Sequence, residues 1–346
     1  MTRSIFALAG LFLAIGGAWA QLRVDVRLVN VVATVTDDNG RYVEGLEAAD
    51  FTLEEDGVGQ QISHFSASHD LPVSVGIVLD SSGSMERKMS TAIRAVDRFL
   101  RSIHEDDDIF LMSFSDSVKV RQDFTSNRDK LWDALEKVKP SGGTSLYDAV
   151  IEATDKIRKG KHPKKAILLI SDGVDTSSEH DYNVTRVAVR ESEVLVYALG
   201  IAPDTATRGP MSERNPPIYG PGTPGRTPTP IPIPGVGVPT FPIPLPGPGR
   251  RQFPTGNPNS NSDAIDMKVL DTFAADSGGR AWLIIPDTRR NALQDALEQI
   301  SDELRSQYSL GYYPSHALND GKWHRIEIKL KNRDYNLRYK RDYFGK

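Results

Sequence analysis

The sequence predicts an α/β fold built on a doubly wound, mostly parallel sheet, with flanking N- and C-terminal β segments that form a small β lobe. In the middle of the chain, mostly apolar runs alternate with segments whose apolar residues recur every three or four positions. Strands that helices cover on both faces give such runs, and amphipathic helices give such spacing. At both ends of the chain, apolar and polar residues alternate instead, which is typical of half-buried strands. An alternation of strands and helices of this kind indicates a doubly wound domain.

The N-terminal β segment is predicted over residues 21–70. Four apolar residues alternate with polar ones at its start: Leu22, Val24, Val26 and Leu28. Asp38-Asn39-Gly40 and Asp56-Gly57 are turn sequences of the kind that join neighbouring strands.

The α/β domain is predicted over residues 71–306. Its buried strands are the apolar runs Val73–Leu79, Ile109–Phe114, Ala166–Ile170 and Val194–Ile201. Two helix faces lie between them, formed by Met89, Ile93, Val96, Leu100 and Ile103 and by Leu146, Val150, Ala153 and Ile157. After a break, a helix is predicted at Met267–Ala275, a strand at Ala281–Ile285 and a helix at Asn291–Ser306.

That break is a Pro-rich insertion over about residues 203–262. It holds 17 of the 22 prolines of the chain. Because proline has no amide hydrogen to donate, such a segment favours polyproline II or disorder. Surface insertions of this length cost a domain little stability.

The C-terminal β segment is predicted over residues 307–346. Ile326, Ile328 and Leu330 alternate with charged residues, and Tyr335–Tyr343 is a further strand candidate. Each end segment alone is too short to bury a face, because an isolated hairpin is marginally stable. We therefore predict that the two segments pack together as one lobe into which the α/β domain is inserted.

Residues 1–20 have the pattern of a secretory signal peptide. Arg3 precedes the apolar run Ile5–Ile15, and Ala18-Trp19-Ala20 resembles a cleavage site, which predicts a mature N-terminus at Gln21. The run is short for a membrane span of about 20 residues, although a retained anchor stays an alternative. We expect an exported protein, periplasmic or secreted, with no integral membrane span after cleavage.

Composition excludes several classes of function. The formal net charge of −4 gives no basic footprint for nucleic acid. The absence of cysteine excludes disulfides, thiolate catalysis and Cys-based zinc or iron–sulfur sites. The seven histidines are scattered along the chain without zinc spacing. They are His64, His69, His104, His162, His180, His316 and His324.

Polar residues follow two of the buried strands and precede one helix. Asp80-Ser81-Ser82-Gly83-Ser84 ends the first strand, Ser171-Asp172-Gly173 ends the third, and Gly142-Gly143-Thr144 precedes the second helix. In open α/β sheets, ligands bind outside the carboxyl ends of the strands, so these groups share one rim. Hard oxygen donors with few charges suit Mg²⁺ or Mn²⁺. Binding is then expected to fade as pH falls toward about 4, because the carboxylates must be ionised.

At these residues the chain resembles the von Willebrand factor A (VWA) family, over roughly residues 72–305. The metal-ion-dependent adhesion site of that family is Asp-x-Ser-x-Ser, then Thr, then Asp, which matches Asp80, Ser82, Ser84, Thr144 and Asp172 in order. The resemblance implies a Rossmann-like fold and an Mg²⁺ or Mn²⁺ ion. It further implies that the serines and Thr144 bind the ion directly or through water, that both aspartates act mostly through water, and that a partner carboxylate completes the coordination.

The flanking segments resemble bacterial exported VWFA-related proteins, a family of mostly undefined function. The similarity is carried by Gly45-Leu46, Asp50-Phe51 and Glu55-Asp56-Gly57, and by Glu303-Leu304-Arg305-Ser306-Gln307-Tyr308 followed by Leu310-Gly311-Tyr312-Tyr313-Pro314. It names no ligand.

Each site residue also has an ordinary reading. Thr144 alone is a helix N-cap, and Ser82, Ser84 and Asp172 alone are turn residues. Their joint occurrence favours a metal site, and hence a non-enzymatic, metal-dependent module that binds a protein partner presenting an acidic residue. Two alternatives stay open. One is a structural scaffold whose Pro-rich segment binds the partner. The other is a metal-dependent hydrolase, for which the sequence offers no general acid–base cluster.

Overall fold

The computed structural model describes residues 28–68, 71–203, 265–286, 291–316, 320–332 and 334–345. The predicted signal peptide, the alternating residues before Leu28 and nearly all of the Pro-rich insertion lie outside these ranges. Within them, no helix is long and apolar enough to cross a membrane.

Fourteen strands and six helices make up the described residues, apart from two single 3-10 turns. The strands are β1 (Val29–Thr36), β2 (Phe51–Glu55), β3 (Val58–Gln60), β4 (Ile62–Ser68), β5 (Val73–Asp80), β6 (Asp108–Phe114), β7 (Val118–Thr125), β8 (Lys164–Ser171), β9 (Leu195–Ile201), β10 (Arg280–Ile284), β11 (Gln307–Tyr312), β12 (Trp323–Leu330), β13 (Asn336–Tyr339) and β14 (Asp342–Phe344). The helices are α1 (Met89–Ser102), α2 (Arg128–Leu135), α3 (Leu146–Ile157), α4 (Tyr182–Glu191), α5 (Met267–Ser277) and α6 (Ala292–Arg305).

The central sheet has the strand order β10-β9-β8-β5-β6-β7, and all of its pairs are parallel except β6 with β7. Every residue of β5 and β6 is buried, because helices cover both faces. One apolar layer packs the sheet against α1, α2 and α6, and the other packs it against α3, α4 and α5. The predicted doubly wound fold is confirmed.

The antiparallel edge strand β7 is an element that the sequence pattern did not indicate. Its side chains are only partly buried, and Val120 is 48% exposed. An edge strand of this kind lacks the continuous apolar run that marks β5, β6, β8 and β9.

The ends of the chain form the predicted β lobe, in which N-terminal and C-terminal strands alternate. One four-stranded sheet has the order β13-β1-β11-β4 and the other the order β14-β12-β2-β3. Their inner faces share one apolar core that includes Val31, Leu53, Tyr308 and Ile328. The predicted single strand Tyr335–Tyr343 was wrong: it is two strands in different sheets, because β13 pairs with β1 and β14 pairs with β12.

A buried polar group joins the lobe to the α/β domain. Glu303 of α6 accepts hydrogen bonds from Tyr197 of β9 (2.7 Å) and Thr34 of β1 (3.3 Å), and it forms an ion pair with Arg338 of β13. Glu303 is only 1% exposed. The last helix of the α/β domain is therefore held by residues from three different sheet strands.

Candidate metal centre

The predicted site lies at the carboxyl edge of the central sheet. Asp80 is the last residue of β5, and Asp172 follows Ser171, the last residue of β8. Because β5 and β8 are adjacent and parallel, with Leu79 opposite Ile170, both aspartates emerge side by side. This is the placement that the sequence predicted.

Asp80 lies at the rim of the sheet and is fully buried there. Its Oδ1 accepts a hydrogen bond from the backbone N–H of Ser82 at 2.9 Å, and its Oδ2 accepts one from Ser171 Oγ at 2.7 Å. Burial, and next the negative charge of Asp172, raise the pKa of Asp80 to about 6. The two carboxylates therefore oppose each other's ionisation unless a cation is present.

The two serines of the first loop connect the aspartates. Ser82 Oγ and Ser84 Oγ lie 3.0 Å apart, and Ser84 Oγ donates to Asp172 Oδ2 at 2.7 Å. Asp80, Ser82, Ser84 and Asp172 thus form one continuous hydrogen-bonded set of oxygens.

Backbone contacts bring the third loop against the first. Gly83 N–H donates to the carbonyl of Gly142 at 2.9 Å. Gly142 has a φ of +78°, and a Cβ there would meet Asp116 Oδ2 at 2.0 Å, so a side chain is excluded by both backbone conformation and space. Thr144 is buried, and its N–H donates to Thr176 Oγ1 at 2.9 Å. Thr144 therefore joins the other four residues through its loop, while side-chain contacts link those four directly.

Lys88 is a member of the site that the sequence reasoning missed. Its Nζ donates to Asp172 Oδ2 at 2.8 Å, and the two side chains are 0% and 1% exposed. Lys88 follows Glu86 and Arg87 in a polar run that resembles a solvated loop, so no sequence signal marks it. A buried ammonium balances one of the two carboxylates and leaves one negative charge uncompensated.

The described residues that flank the Pro-rich insertion also lie at this rim. β9, which precedes it, ends at the same edge as β8, and Asp266 beyond it donates its N–H to the carbonyl of Asp172 at 2.7 Å. The described residues on both sides of the insertion therefore lie next to the site.

The donor set fits a small divalent cation. Two carboxylates and three hydroxyls are hard oxygen ligands, and burial, followed by the negative charge of Asp172, raises the pKa of Asp80. A cation bound there would remove the repulsion between Asp80 and Asp172.

Comparison with known proteins places this region in a family. Residues 75–174 match the family model described as von Willebrand factor type A domain. The inter-alpha-trypsin inhibitor heavy chain H2 of Mus musculus is 29% identical over 160 residues, which cover 41% of this chain and 17% of that protein. The chain therefore spans only a small part of that relative's length.

Two solved structures are similar in outline. An aerotolerance-related membrane protein from Bacteroides fragilis has a TM-score of 0.45 and 19% identity, covering 67% of this chain and 98% of that one. A von Willebrand factor type A protein from Catenulispora acidiphila has a TM-score of 0.44 and 12% identity, covering 86% and 72%.

Proposed function

Because the chain contains a von Willebrand factor type A domain, we propose that it is an exported, metal-dependent protein-binding module. Such domains are generally non-enzymatic interaction modules. Asp80, Ser82, Ser84, Thr144 and Asp172 would hold Mg²⁺ or Mn²⁺. The bound ion would supply an electrophilic position for an acidic side chain of the partner.

The observation that carries this proposal is the continuous set of oxygens from Asp80 to Asp172. A buried aspartate with a raised pKa, beside a second aspartate and two hydroxyls, is costly to maintain in the absence of a cation. Lys88 compensates only part of that charge. The remaining negative charge favours a cation from solvent.

Partner capture tests the proposal directly. The purified chain is used as bait against the native periplasmic or extracellular fraction, with Mg²⁺ or with EDTA. We expect a partner retained with Mg²⁺ by the wild type and lost both with EDTA and with Asp80→Asn. Asp123→Asn is the matched control, because Asp123 is an exposed aspartate on the same sheet. Equal capture by wild type and Asp80→Asn would refute metal-dependent recognition.

The scaffold alternative assigns binding to the Pro-rich insertion instead. Deletion of residues 209–258 separates the two, since the flanking residues already lie at the rim. Unchanged capture with Mg²⁺ favours the metal centre, whereas lost capture with unchanged metal binding favours the Pro-rich segment.

Export rests on the signal-like residues 1–20. Mass spectrometry of the native protein is expected to give an N-terminus at Gln21. An intact Met1 in a cytoplasmic fraction would contradict export.

A further inference from the structure

A cluster of potential metal ligands lies in the β lobe, away from the carboxyl edge of the central sheet. It consists of Glu55, His316 and His324, which we name the Glu55 cluster. One ligand atom from each residue lies within 4.8 Å of the other two. Glu55 ends β2, His324 belongs to the neighbouring strand β12, and His316 follows β11. Because the three residues come from three separate segments, no zinc spacing was visible in the sequence.

One carboxylate oxygen of Glu55 is buried without a hydrogen-bond partner among the described residues. The residue is 2% exposed, and its Oε1 accepts hydrogen bonds from Tyr312 Oη (3.0 Å) and from Tyr343 Oη. Its Oε2 is buried and has no hydrogen-bond partner among the described residues. A carboxylate oxygen that is removed from water without gaining a hydrogen bond lowers the stability of the folded protein. This oxygen is therefore available to bind a ligand.

The tyrosines cannot supply the missing positive charge. Burial, and next the charge of Glu55, raise the pKa of Tyr312. Burial and the hydrogen bond to Glu55 raise that of Tyr343. Both phenols therefore stay protonated and act only as neutral donors to Oε1. The two histidines are then the groups within reach of Glu55 that can bring a cation.

The histidines are arranged as oriented ligands. His316 Nε2 lies 3.3 Å from Glu55 Oε1. His324 is held by two carboxylates, with Nδ1 2.8 Å from Asp56 Oδ2 and Nε2 3.1 Å from Asp320 Oδ1. Asp56 on Nδ1 orients the ring of His324. Asp320 already lies at Nε2, so an ion bound to Nε2 would sit between that nitrogen and Asp320.

Close stacking argues against a cluster that balances its charge with protons alone. The His316 and His324 rings are stacked, with centroids 3.9 Å apart and an interplanar angle of 16°. Protonating both rings would place two like charges face to face. A shared dication would avoid this repulsion once one ring turns, because two near-parallel rings cannot both point a nitrogen at one ion.

We propose that Glu55, His316 and His324 form a second metal site that binds Zn²⁺, with Asp320 or water as the fourth ligand. Imidazole and carboxylate donors without thiolate suit zinc, whereas magnesium and calcium prefer oxygen ligands alone. The three atoms need to close from within 4.8 Å to about 3.3 Å for tetrahedral zinc. His316 lies after the end of β11 and outside any strand. The ion would fasten that connection and β12 to β2.

Zinc binding by the metal-stripped full chain tests this site. The Asp80→Asn variant serves as the background, because it eliminates zinc binding at the candidate metal centre. Calorimetry and mass-spectrometric metal analysis of this variant then give the number of zinc ions bound per chain. We expect one zinc per chain in Asp80→Asn, and a melting temperature raised by about 5 °C at a hundredfold excess of zinc over Kd. His316→Gln and His324→Gln in that background are expected to weaken binding at least about tenfold, since each removes a direct ligand. His64→Gln, an exposed histidine of the same lobe, is the matched control and is expected to bind normally.

If His324→Gln fails to fold, His316→Gln decides the outcome. His316 is only partly buried and lies outside any strand, so its replacement is expected to leave the fold intact. Circular dichroism verifies that each variant keeps its fold. Loss of zinc in Asp80→Asn assigns the ion to the candidate metal centre and overturns the proposal. Full zinc binding by folded His316→Gln overturns it as well.

Discussion

Asp80→Asn is expected to stabilise the metal-free protein at neutral and higher pH. Asp80 is fully buried, and its pKa rises from 3.8 to about 6 because of burial and the charge of Asp172. Between those two values the folded state binds more protons than the unfolded state. The free energy of unfolding therefore falls as pH rises through this window and is level above it. A shift of about 2 pH units at about 1.36 kcal/mol each amounts to about 3 kcal/mol.

Asparagine is the better replacement because it preserves the local hydrogen bonds. Its amide oxygen accepts from Ser82 N–H as the carboxylate does, and its amide nitrogen can donate to Ser171 Oγ. Alanine would leave both partners unsatisfied inside the protein, which costs about 1–3 kcal/mol for each group.

Urea unfolding in EDTA measures the effect. We expect Asp80→Asn to exceed the wild type by about 3 kcal/mol near pH 8, with the gain disappearing near about pH 3, where Asp80 is protonated in both states. The control Asp123→Asn should bring no gain, because a hydrogen bond and ion pair with Lys156 lower the pKa of that exposed aspartate. Equal stability of Asp80→Asn and wild type near pH 8, or an undiminished gain near about pH 3, would refute the reasoning.

Three further predictions concern buried charges. Lys88→Met leaves Asp172 without its ammonium and should cost the metal-free protein about 3 kcal/mol. Thermal unfolding should show that Mg²⁺ restores most of this loss, and a variant as stable as wild type in EDTA would contradict it. Arg338→Met leaves the buried Glu303 without its ion-pair partner and should lower the free energy of unfolding in urea by about 3 kcal/mol. Adding Glu303→Gln should recover part of this loss. An equal loss in Arg338→Met and in the double variant would argue against a charge effect. Calorimetry should show that Mg²⁺ affinity falls about tenfold per pH unit below about pH 6, because Asp80 must lose a proton to bind the ion. The unperturbed pKa of aspartate implied a fall near about pH 4 instead. An affinity that stays the same between about pH 7 and pH 5 would contradict this prediction.

Much of the central fold follows from the sequence because burial on both faces leaves a strong record. Strands β5, β6, β8 and β9 are mostly continuous apolar runs. In α1, α3 and α6 the buried apolar residues recur at the helical period. The edge strand β7 leaves no such record, since one side of it is exposed.

The placement of the site residues also follows from the sequence, but their environment does not. Parallel neighbours end at one edge, so Asp80 and Asp172 had to meet there. The burial of Asp80 and the inward turn of Lys88 depend on loops that fold over the rim, and a lysine in a polar run carries no mark of its final position. The same holds for the acidic residues that precede β6. Among them, Asp107 forms an ion pair with Arg305 of α6 at 2.6 Å, a contact that the sequence alone does not indicate.

The Glu55 cluster was hidden for a different reason. Glu55 and His324 come close because the antiparallel register places Ile326 opposite Glu55 and His324 two residues before it on β12, and register is a property of paired strands rather than of one segment.

The pairing of β1 with β11 has a consequence for the order in which the chain acquires its structure. Ser309 of β11 bonds Asn30 of β1 across 279 sequence positions, so the first strand has no partner on either side until the last part of the chain is available. The central sheet, in contrast, pairs segments that follow one another more closely. Long-range pairing is slow because loop closure must precede it. During synthesis, β1 therefore stays an unpaired strand while the α/β domain assembles. This interval is when a chaperone, or a neighbouring copy, has access to it.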